Sequence, residues 1–152
     1  MIVDMTPEHI YAVTRNICEL DRRELLASGA GLGLDGIVRM TLSLPGPSFT
    51  ALVNGEPVMV GGFSKTNGGA ATAWMWGTDN AKYAAVEFTR FSKRAVKYLL
   101  ENGVFHRIQA FPAVFHTRAA RWIEAIGMKR EATLRKYGCG GEDFYLYAAI
   151  KE

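Results

Sequence analysis

The stretch of sequence that decides the fold begins with Arg107-Ile-Gln-Ala-Phe111 and continues with His116-Thr-Arg-Ala-Ala-Arg-Trp-Ile-Glu-Ala-Ile-Gly-Met128. The first part predicts a short strand, which Pro112 closes because proline has no N–H to donate to a ladder. The second part predicts a helix, since its apolar residues recur at three- and four-residue steps. Gly127 lies where a helix-ending glycine is expected, and the methionine after it can fold back onto the helix.

The C-terminal segment predicts a closing hairpin. Arg130–Tyr137 and Phe144–Ile150 are rich in strand-forming residues, and Gly138-Cys139-Gly140-Gly141 between them is a strong turn signal. With the segments before it, this part of the chain predicts a strand, a helix and two further strands.

The N-terminal part predicts one strand followed by helices. Ile2–Met5 can form a first strand, and Thr6-Pro7-Glu8 is a helix start with a capping hydroxyl and a proline in the first turn. Helical spacing of apolar residues continues from there to about Ser28. After a glycine-rich loop, Asp35 is expected to cap a short second helix that ends before Pro45.

The middle of the chain predicts three strands of one sheet. Phe49–Val53 and Pro57–Phe63 form a hairpin, because Asn54-Gly55 between them accepts the positive φ angles of a type I′ turn. Gly61-Gly62 inside the second strand indicates a bulge or a close backbone approach. Thr72–Trp76 follows as the third strand.

A long helix is expected from Ala81 to Glu101. Its buried face is predicted at Ala85, Phe88, Ala95 and Leu99. A basic stripe is formed by Lys82, Arg90, Lys93, Arg94 and Lys97. Phosphate or nucleic-acid binding is one interpretation of this stripe. We favour a solvated helix face, because no aromatic residues are interleaved with the stripe to stack on bases.

These elements predict a single α/β (α+β) domain over residues 1–152, in the order β-α-α-β-β-β-α-β-α-β-β. The expected sheet is central, mixed and mostly antiparallel, with six to seven strands and about four flanking helices.

The composition is that of an ordinary globular domain, with 49% hydrophobic and 22% charged residues. No apolar run approaches the ~20 residues that a membrane span needs, and we expect no signal peptide at the N-terminus. Cys18 and Cys139 have neither metal-site nor disulfide-framework spacing, which predicts a reduced, cytoplasmic setting and no metal. The net charge of +3 does not by itself point to nucleic acid.

Three segments carry a family resemblance. Asn54-Gly55 with Val60-Gly61 beyond it, the helix from His116 to Gly127-Met128, and Glu131-Ala-Thr-Leu-Arg135 resemble parts of the GNAT fold, the acyl-CoA N-acyltransferase family. The corresponding family parts are the second and third strands, the fourth-helix segment and an E-G-x-x-R strand. The resemblance implies the GNAT fold over most of the chain, with acetyl-CoA or CoA as the cofactor.

One loop departs from the family pattern. Family members place Gln/Arg-x-x-Gly-x-Gly/Ala before the long helix, where backbone N–H groups hold the CoA pyrophosphate; this chain has Gly77-Thr-Asp-Asn-Ala-Lys-Tyr83. We expect Thr78 or Asp79 to cap the helix instead, which puts CoA binding in question. If CoA binds, the resemblance implies contacts with Trp76, Gly77, Thr78, Lys82, His116 and Ala119.

The catalytic acid and base are not recognisable by position. Ile123 stands where many family members have the tyrosine that protonates the leaving thiolate. The alternative acids are Tyr137, Tyr145 and Tyr147. The candidate general bases are Glu56, Asp79 and Glu87. His116 replaces a family asparagine, and we expect it to cap the helix that follows.

A second, diffuse resemblance covers nearly the full length. The N-terminal helix pair, the altered loop, the basic long helix and the Ile-Gly helix end are similar to small internal virion proteins of short-tailed phages. This implies a phage or prophage protein, in the host cytoplasm or packaged in a virion, with virion proteins or a second copy of the chain as partners. Two functions therefore stand: an acetyl-CoA-dependent N-acyltransferase, and a non-catalytic virion or assembly protein that keeps only the scaffold.

Overall fold

A computed structural model describes residues 1–152. Its centre is one sheet of seven strands in the order β1-β2-β3-β4-β5-β7-β6. The strands are β1 (Ile2–Asp4), β2 (Ser48–Val53), β3 (Glu56–Asn67), β4 (Ala70–Gly77), β5 (Arg107–Ala110), β6 (Lys129–Leu134) and β7 (Phe144–Ile150). The helices are α1 (Pro7–Arg15), α2 (Glu19–Ser28), α3 (Leu34–Ser43), α4 (Ala85–Glu101) and α5 (Thr117–Ala125), with a 3₁₀ turn at Asp79–Tyr83. The prediction of a mixed, mostly antiparallel sheet of six to seven strands is confirmed.

The β2–β3 hairpin turns as its residues require. Asn54 and Gly55 have φ angles of +51° and +80°, which are the left-handed values of a type I′ turn. Of the two interpretations of Gly61-Gly62, the close approach is the observed one. A Cβ on Gly62 would lie 2.7 Å from the Pro47 carbonyl oxygen and 2.9 Å from the Trp74 ring.

The single parallel pair of the sheet is short. β4 pairs with β5 only from Ala70–Thr72 to residues 107–109, although β4 continues to Gly77. All other neighbouring strands are antiparallel. The sheet therefore opens into a gap between the C-terminal half of β4 and the chain that follows β5.

Helices cover both faces of the sheet. On one face, α4 and α5 pack against Phe63, Ile108 and Tyr147 in the largest core cluster. On the other, α1 and α3 pack against Val60 and Trp76. α2 lies on this second face, where Ala27 packs with Ala113 and Phe144 beside the gap. The gap is thus flanked by helices on both sides.

The helix expected to run from Pro7 to Ser28 is instead two helices. The chain leaves α1 after Arg15, Ile17 forms a β-bridge with Thr78, and the Cys18 N–H donates to the Gly77 carbonyl oxygen at 2.9 Å. Long-range bonds to the end of β4 replace the local helical bonds here. The order therefore has three helices before the hairpin, and five helices stand where about four were expected.

Two further boundaries differ from expectation. α4 begins at Ala85, not Ala81, because the preceding residues turn as a 3₁₀ helix capped by the Thr78 hydroxyl. Ala85 is exposed, and the buried face of α4 consists of Phe88, Ser92, Val96, Leu99 and Leu100. In α3, Gly33 occupies the N-cap position, and Asp35 lies within the first turn.

The C-terminal half follows the prediction closely. Gly127 follows the last residues of α5 with a φ of +105°, and the buried Met128 donates its N–H to the Ile123 carbonyl oxygen at 3.2 Å. β6 and β7 form the closing hairpin. No helix has both the length and the apolar character required to cross a membrane.

Candidate functional site

A cavity of about 640 Å³ occupies the gap between β4 and β5. It reaches both faces of the sheet, since α2 and α3 line one part of it and α4 and α5 line the other. Its walls are mostly apolar, but five charged side chains line it: Asp21, Glu24, Asp79, Lys82 and Arg118. The gap in the sheet is therefore an accessible, largely apolar site with charged groups at defined places.

One wall of the gap is an unpaired strand edge. The Thr78 N–H donates to the Val58 carbonyl oxygen on β3, whereas the N–H and carbonyl of Gly77 point the other way, toward α2. Because peptide groups alternate along a strand, Met75 directs its N–H and carbonyl to the same side as Gly77. β5 has already diverged at this level. The Met75 peptide groups therefore face the gap.

Two carboxylates of α2 connect the two sides of the gap. Asp21 accepts a hydrogen bond from the Gly77 N–H (2.9 Å) at the end of β4, and its other oxygen lies 2.7 Å from His116 Nε2. One helical turn later, Glu24 Oε2 accepts from the Ala113 N–H (3.0 Å), in the segment after β5. α2 therefore bridges β4 to the segment between β5 and α5.

His116 is a buried helix cap with both ring nitrogens engaged. Its Nδ1 accepts from the Ala119 N–H at 3.3 Å, so the neutral ring carries its proton on Nε2 and donates it to Asp21. This confirms the expected cap. With neither nitrogen free, His116 orients Asp21 and α5 and has no lone pair left for a ligand.

Glu24 differs from Asp21 in having a free oxygen. Only Oε2 accepts a hydrogen bond; Oε1 has no hydrogen-bond partner and is accessible to solvent. Burial raises the pKa of this carboxyl from 4.5 to about 7, and the hydrogen bond from the Ala113 N–H opposes it only in part. A carboxyl with such a pKa can hold or release a proton near neutral pH.

Cys18 lies in the same part of the cavity. Burial raises the pKa of its thiol, and the nearby Arg118 lowers it to a smaller extent. The thiol is therefore protonated at neutral pH and weakly nucleophilic.

On the other face, Trp122 joins α4 to α5. Its Nε1–H donates to the Thr89 hydroxyl at 3.0 Å, and its ring stacks on Phe88 with the ring centroids 6.0 Å apart. These contacts fix the separation of the two helices along the cavity.

Most of the sequence-predicted cofactor residues lie at this cavity. The lining includes Trp76, Thr78, Lys82, His116 and Ala119. Gly77 contributes only the N–H and carbonyl held by α2. Of the catalytic candidates, Asp79 and Tyr137 also line the cavity; Tyr137 is 52% exposed, and its ring stacks on Phe111.

The remaining catalytic candidates lie elsewhere. Glu87 pairs with the N-terminal ammonium at 2.8 Å, and Glu56 lies exposed beside the hairpin turn. The Arg130 guanidinium lies 3.8 Å from the Tyr145 ring centroid. Tyr147 is fully buried and donates its hydroxyl to Glu124 at 2.8 Å. The structure does not bring these four side chains to the gap.

Sequence reasoning missed Asp21, Glu24 and the Met75 peptide. In the sequence, the two acids look like ordinary charges on a helix surface. The one available signal was their three-residue spacing, which puts them on one helix face. The strand edge at Met75 gives no signal in the sequence, because it consists of backbone N–H and carbonyl groups and not of a side chain.

Comparison with known proteins assigns the fold. No protein-family model matches the chain, and no curated protein matches it. Solved structures do. A GNAT-family acetyltransferase from Bacillus anthracis is 18% identical with a TM-score of 0.71, over 99% of this chain and 93% of that one. The ribosomal-protein-S5-alanine acetyltransferase of Vibrio fischeri is 14% identical with a TM-score of 0.68, over 99% and 92%.

A third structure holds ligands. AAC(6')-Ib, in complex with ribostamycin and coenzyme A, is 15% identical with a TM-score of 0.70, over 99% of this chain and 93% of that one. The chain therefore has the GNAT acetyltransferase fold, as predicted. The likeness to phage virion proteins stays a prediction.

Proposed function

We propose that this protein is an acyl-CoA-dependent N-acyltransferase of the GNAT type. The observation that carries the proposal is the gap beside β4, where an unpaired strand edge faces a cavity of about 640 Å³. An extended thioester arm suits such an edge, because it can exchange hydrogen bonds with strand peptide groups and bury apolar atoms. When bound, acyl-CoA supplies the activated acyl group.

The Met75 N–H can stabilise the negative charge that develops on the thioester carbonyl oxygen during acyl transfer. It points into a largely apolar cavity without a partner of its own, where a hydrogen bond to an oxyanion gains strength. No side chain has to rotate for this, since the sheet holds the peptide in place. We therefore assign the Met75 N–H the task of polarising the thioester carbonyl.

The residues present fit the thioester arm better than the diphosphate. In the loop after β4, the N–H groups of Thr78, Asn80, Ala81 and Ala84 are already engaged in the protein's own hydrogen bonds. Asp79 adds a negative charge beside them. The cations available for phosphate are the side chains of Lys82 and Arg118, which line the same cavity. We therefore expect CoA to bind through side-chain charges and to be sensitive to salt.

Calorimetric titration with acetyl-CoA, and with desulfo-CoA as a second ligand, tests this proposal. We expect micromolar binding that Lys82→Glu weakens by about tenfold or more, since the substitution reverses a charge beside the phosphates. Lys93→Glu is the matched control, because Lys93 is exposed on α4 and does not line the cavity. Absence of binding at millimolar ligand would overturn the proposal.

One observation favours a second candidate. Asp21 and Glu24 join the two sides of the gap by accepting hydrogen bonds from the protein's own N–H groups. Such structural use of both carboxylates is expected of a protein that keeps the GNAT fold but does not catalyse acyl transfer. This candidate is a non-catalytic protein with phage or virion proteins as partners. It predicts no acetyl-CoA binding in the same titration.

A further inference from the structure

The part of the cavity lined by α2 and α3 combines an apolar wall with two carboxylates. Its apolar wall is made by Leu25, Ile37, Met40, Leu44 and Trp74. Asp21 and Glu24 supply carboxylates, and none of the residues that α2 and α3 contribute to the lining is a lysine or arginine. Such a site favours a ligand with a cationic end and an apolar body, and disfavours one that carries a carboxylate.

Glu24 is the carboxylate that remains available to this ligand. Both oxygens of Asp21 are used, by the Gly77 N–H and by His116. Glu24 uses Oε2 for the Ala113 N–H, which fixes the carboxyl in place, while Oε1 has no partner within the protein and the residue lines the cavity. The apolar wall and this single free oxygen together define where an ammonium group can sit.

We propose that the α2–α3 side of the cavity binds the acyl acceptor, a primary amine with an apolar body, and that Glu24 binds its ammonium group and accepts its proton. The inference rests on the proposed transferase function. After the ammonium proton passes to Glu24, the amine lone pair attacks the thioester carbonyl carbon. A C–N bond forms and the C–S bond breaks. The sulfur leaves as thiolate and takes up, directly or through water, the second proton that the nitrogen loses as the amide forms, and Glu24 returns its proton to solvent.

The surroundings of Glu24 suit this exchange. The other titratable or charged groups that line the cavity are Cys18, Asp21, Asp79, Lys82, His116, Arg118 and Tyr137. Burial is the main cause of the raised pKa of Glu24, about 7, and the negative charge of Asp21 acts in the same direction. Near neutral pH the carboxyl is therefore poised to accept the proton and to release it again.

Direct binding of small amines to the protein without acetyl-CoA is the first test. At pH 8, we expect 2-phenylethylamine to bind at least about tenfold more tightly than 2-phenylethanol, which lacks the charge. Phenylalanine, which adds a carboxylate, and putrescine, which lacks the apolar body, are expected to be similarly weak. Quenching of tryptophan fluorescence or calorimetry reports the affinity.

Glu24→Gln is the decisive variant, because glutamine keeps an acceptor for the Ala113 N–H but carries no charge. We expect it to weaken 2-phenylethylamine binding by about tenfold and to leave 2-phenylethanol unchanged. Glu19→Gln is the matched control on the same helix, since Glu19 is exposed and lies outside the cavity. Equal amine affinity in Glu24→Gln and wild type would overturn the assignment.

Acetyl transfer to the amine is the second test. The wild-type kcat/KM should rise with pH through an apparent pKa near 7, and Glu24→Gln should lower it by about 10² or more and remove that step. Acetyl-CoA affinity should not change. Transfer that does not depend on Glu24 or on the apolar body would overturn this inference alone. Amine binding without acetyl-CoA binding would instead overturn the transferase proposal and leave the amine site standing.

Discussion

At the scale of single residues, Asp21 and Glu24 show how one helical turn can hold two acids with different tasks. Both bridge the gap, but Asp21 has a hydrogen-bonding partner for each oxygen whereas Glu24 has one partner in all. Loss of solvation therefore dominates at Glu24 and raises its pKa to about 7. Burial is the main cause of the raised pKa, and the single hydrogen bond from the Ala113 N–H offsets it only in part.

The raised pKa of Glu24 predicts a pH-dependent cost to stability. The folded protein binds this proton more tightly than the unfolded chain, whose carboxyl titrates near 4.5. The stability from the protonated form is thus fully present below pH 4.5 and is lost as pH rises to about 7. Since a glutamine side chain cannot ionise, Glu24→Gln should raise the free energy of unfolding relative to wild type at pH 8, by about 1 to 3 kcal/mol.

Urea denaturation of both proteins across this pH range measures the difference. The difference in unfolding free energy between variant and wild type should shrink toward zero below pH 4.5. A difference of constant size at every pH would show that ionisation of Glu24 is not its cause. Glu19→Gln should show little pH dependence, because Glu19 is 71% exposed.

At the scale of elements, α5 is defined by signals at its two ends. His116 caps the first turn, and Gly127 ends the helix in the left-handed region with a φ of +105°. Met128 then packs back into the core. Because α5 carries both His116 and Trp122, its position sets the distance between the cap at the gap and the contact with α4.

Replacing Gly127 by alanine should cost about 1 kcal/mol of unfolding free energy. The penalty is the left-handed backbone conformation, since no atom lies within 4 Å of the position a Cβ would take. Gly68→Ala is the control, because Gly68 is equally open and lies outside that backbone region. Thermal or urea unfolding gives both values. An equal loss in the two variants would point away from the helix end.

At the scale of the whole molecule, the site exists because the sheet is incomplete. β4 and β5 pair over only three residues, and helices on both faces hold the strands apart. On one face, α2 ties the two sides of the gap through its carboxylates; on the other, Trp122 joins α4 to α5. The gap is therefore a fixed feature of the packing.

The open edge predicts a pattern of hydrogen exchange. The Met75 amide faces the gap, whereas the Trp76 amide faces β3, where Trp76 pairs with Val60. NMR should show faster exchange at Met75 than at Trp76 in the free protein. Saturating acetyl-CoA should slow exchange at Met75 selectively. Protection of Met75 without ligand would mean that the edge is already occupied, and no slowing with bound ligand would mean that the edge is not used.

The sequence by itself determined the parts of this protein that depend on neighbouring residues. The type I′ turn at Asn54-Gly55, the helix that ends at Gly127 and the closing hairpin all follow from local backbone preferences and spacing. Together they made the GNAT fold recognisable. The His116 cap belongs with them, since its partner Ala119 is three residues away.

Only the tertiary structure decided the break between α1 and α2 and the chemistry of the gap. Asp21 contacts residues 56 and 95 positions away, and Glu24 contacts one 89 positions away. A helix-surface acid acquires a raised pKa only when the fold removes its water, and a strand edge is free only when its neighbour diverges. The raised pKa and the free strand edge both depend on groups that are distant in the sequence, so local sequence patterns do not predict them.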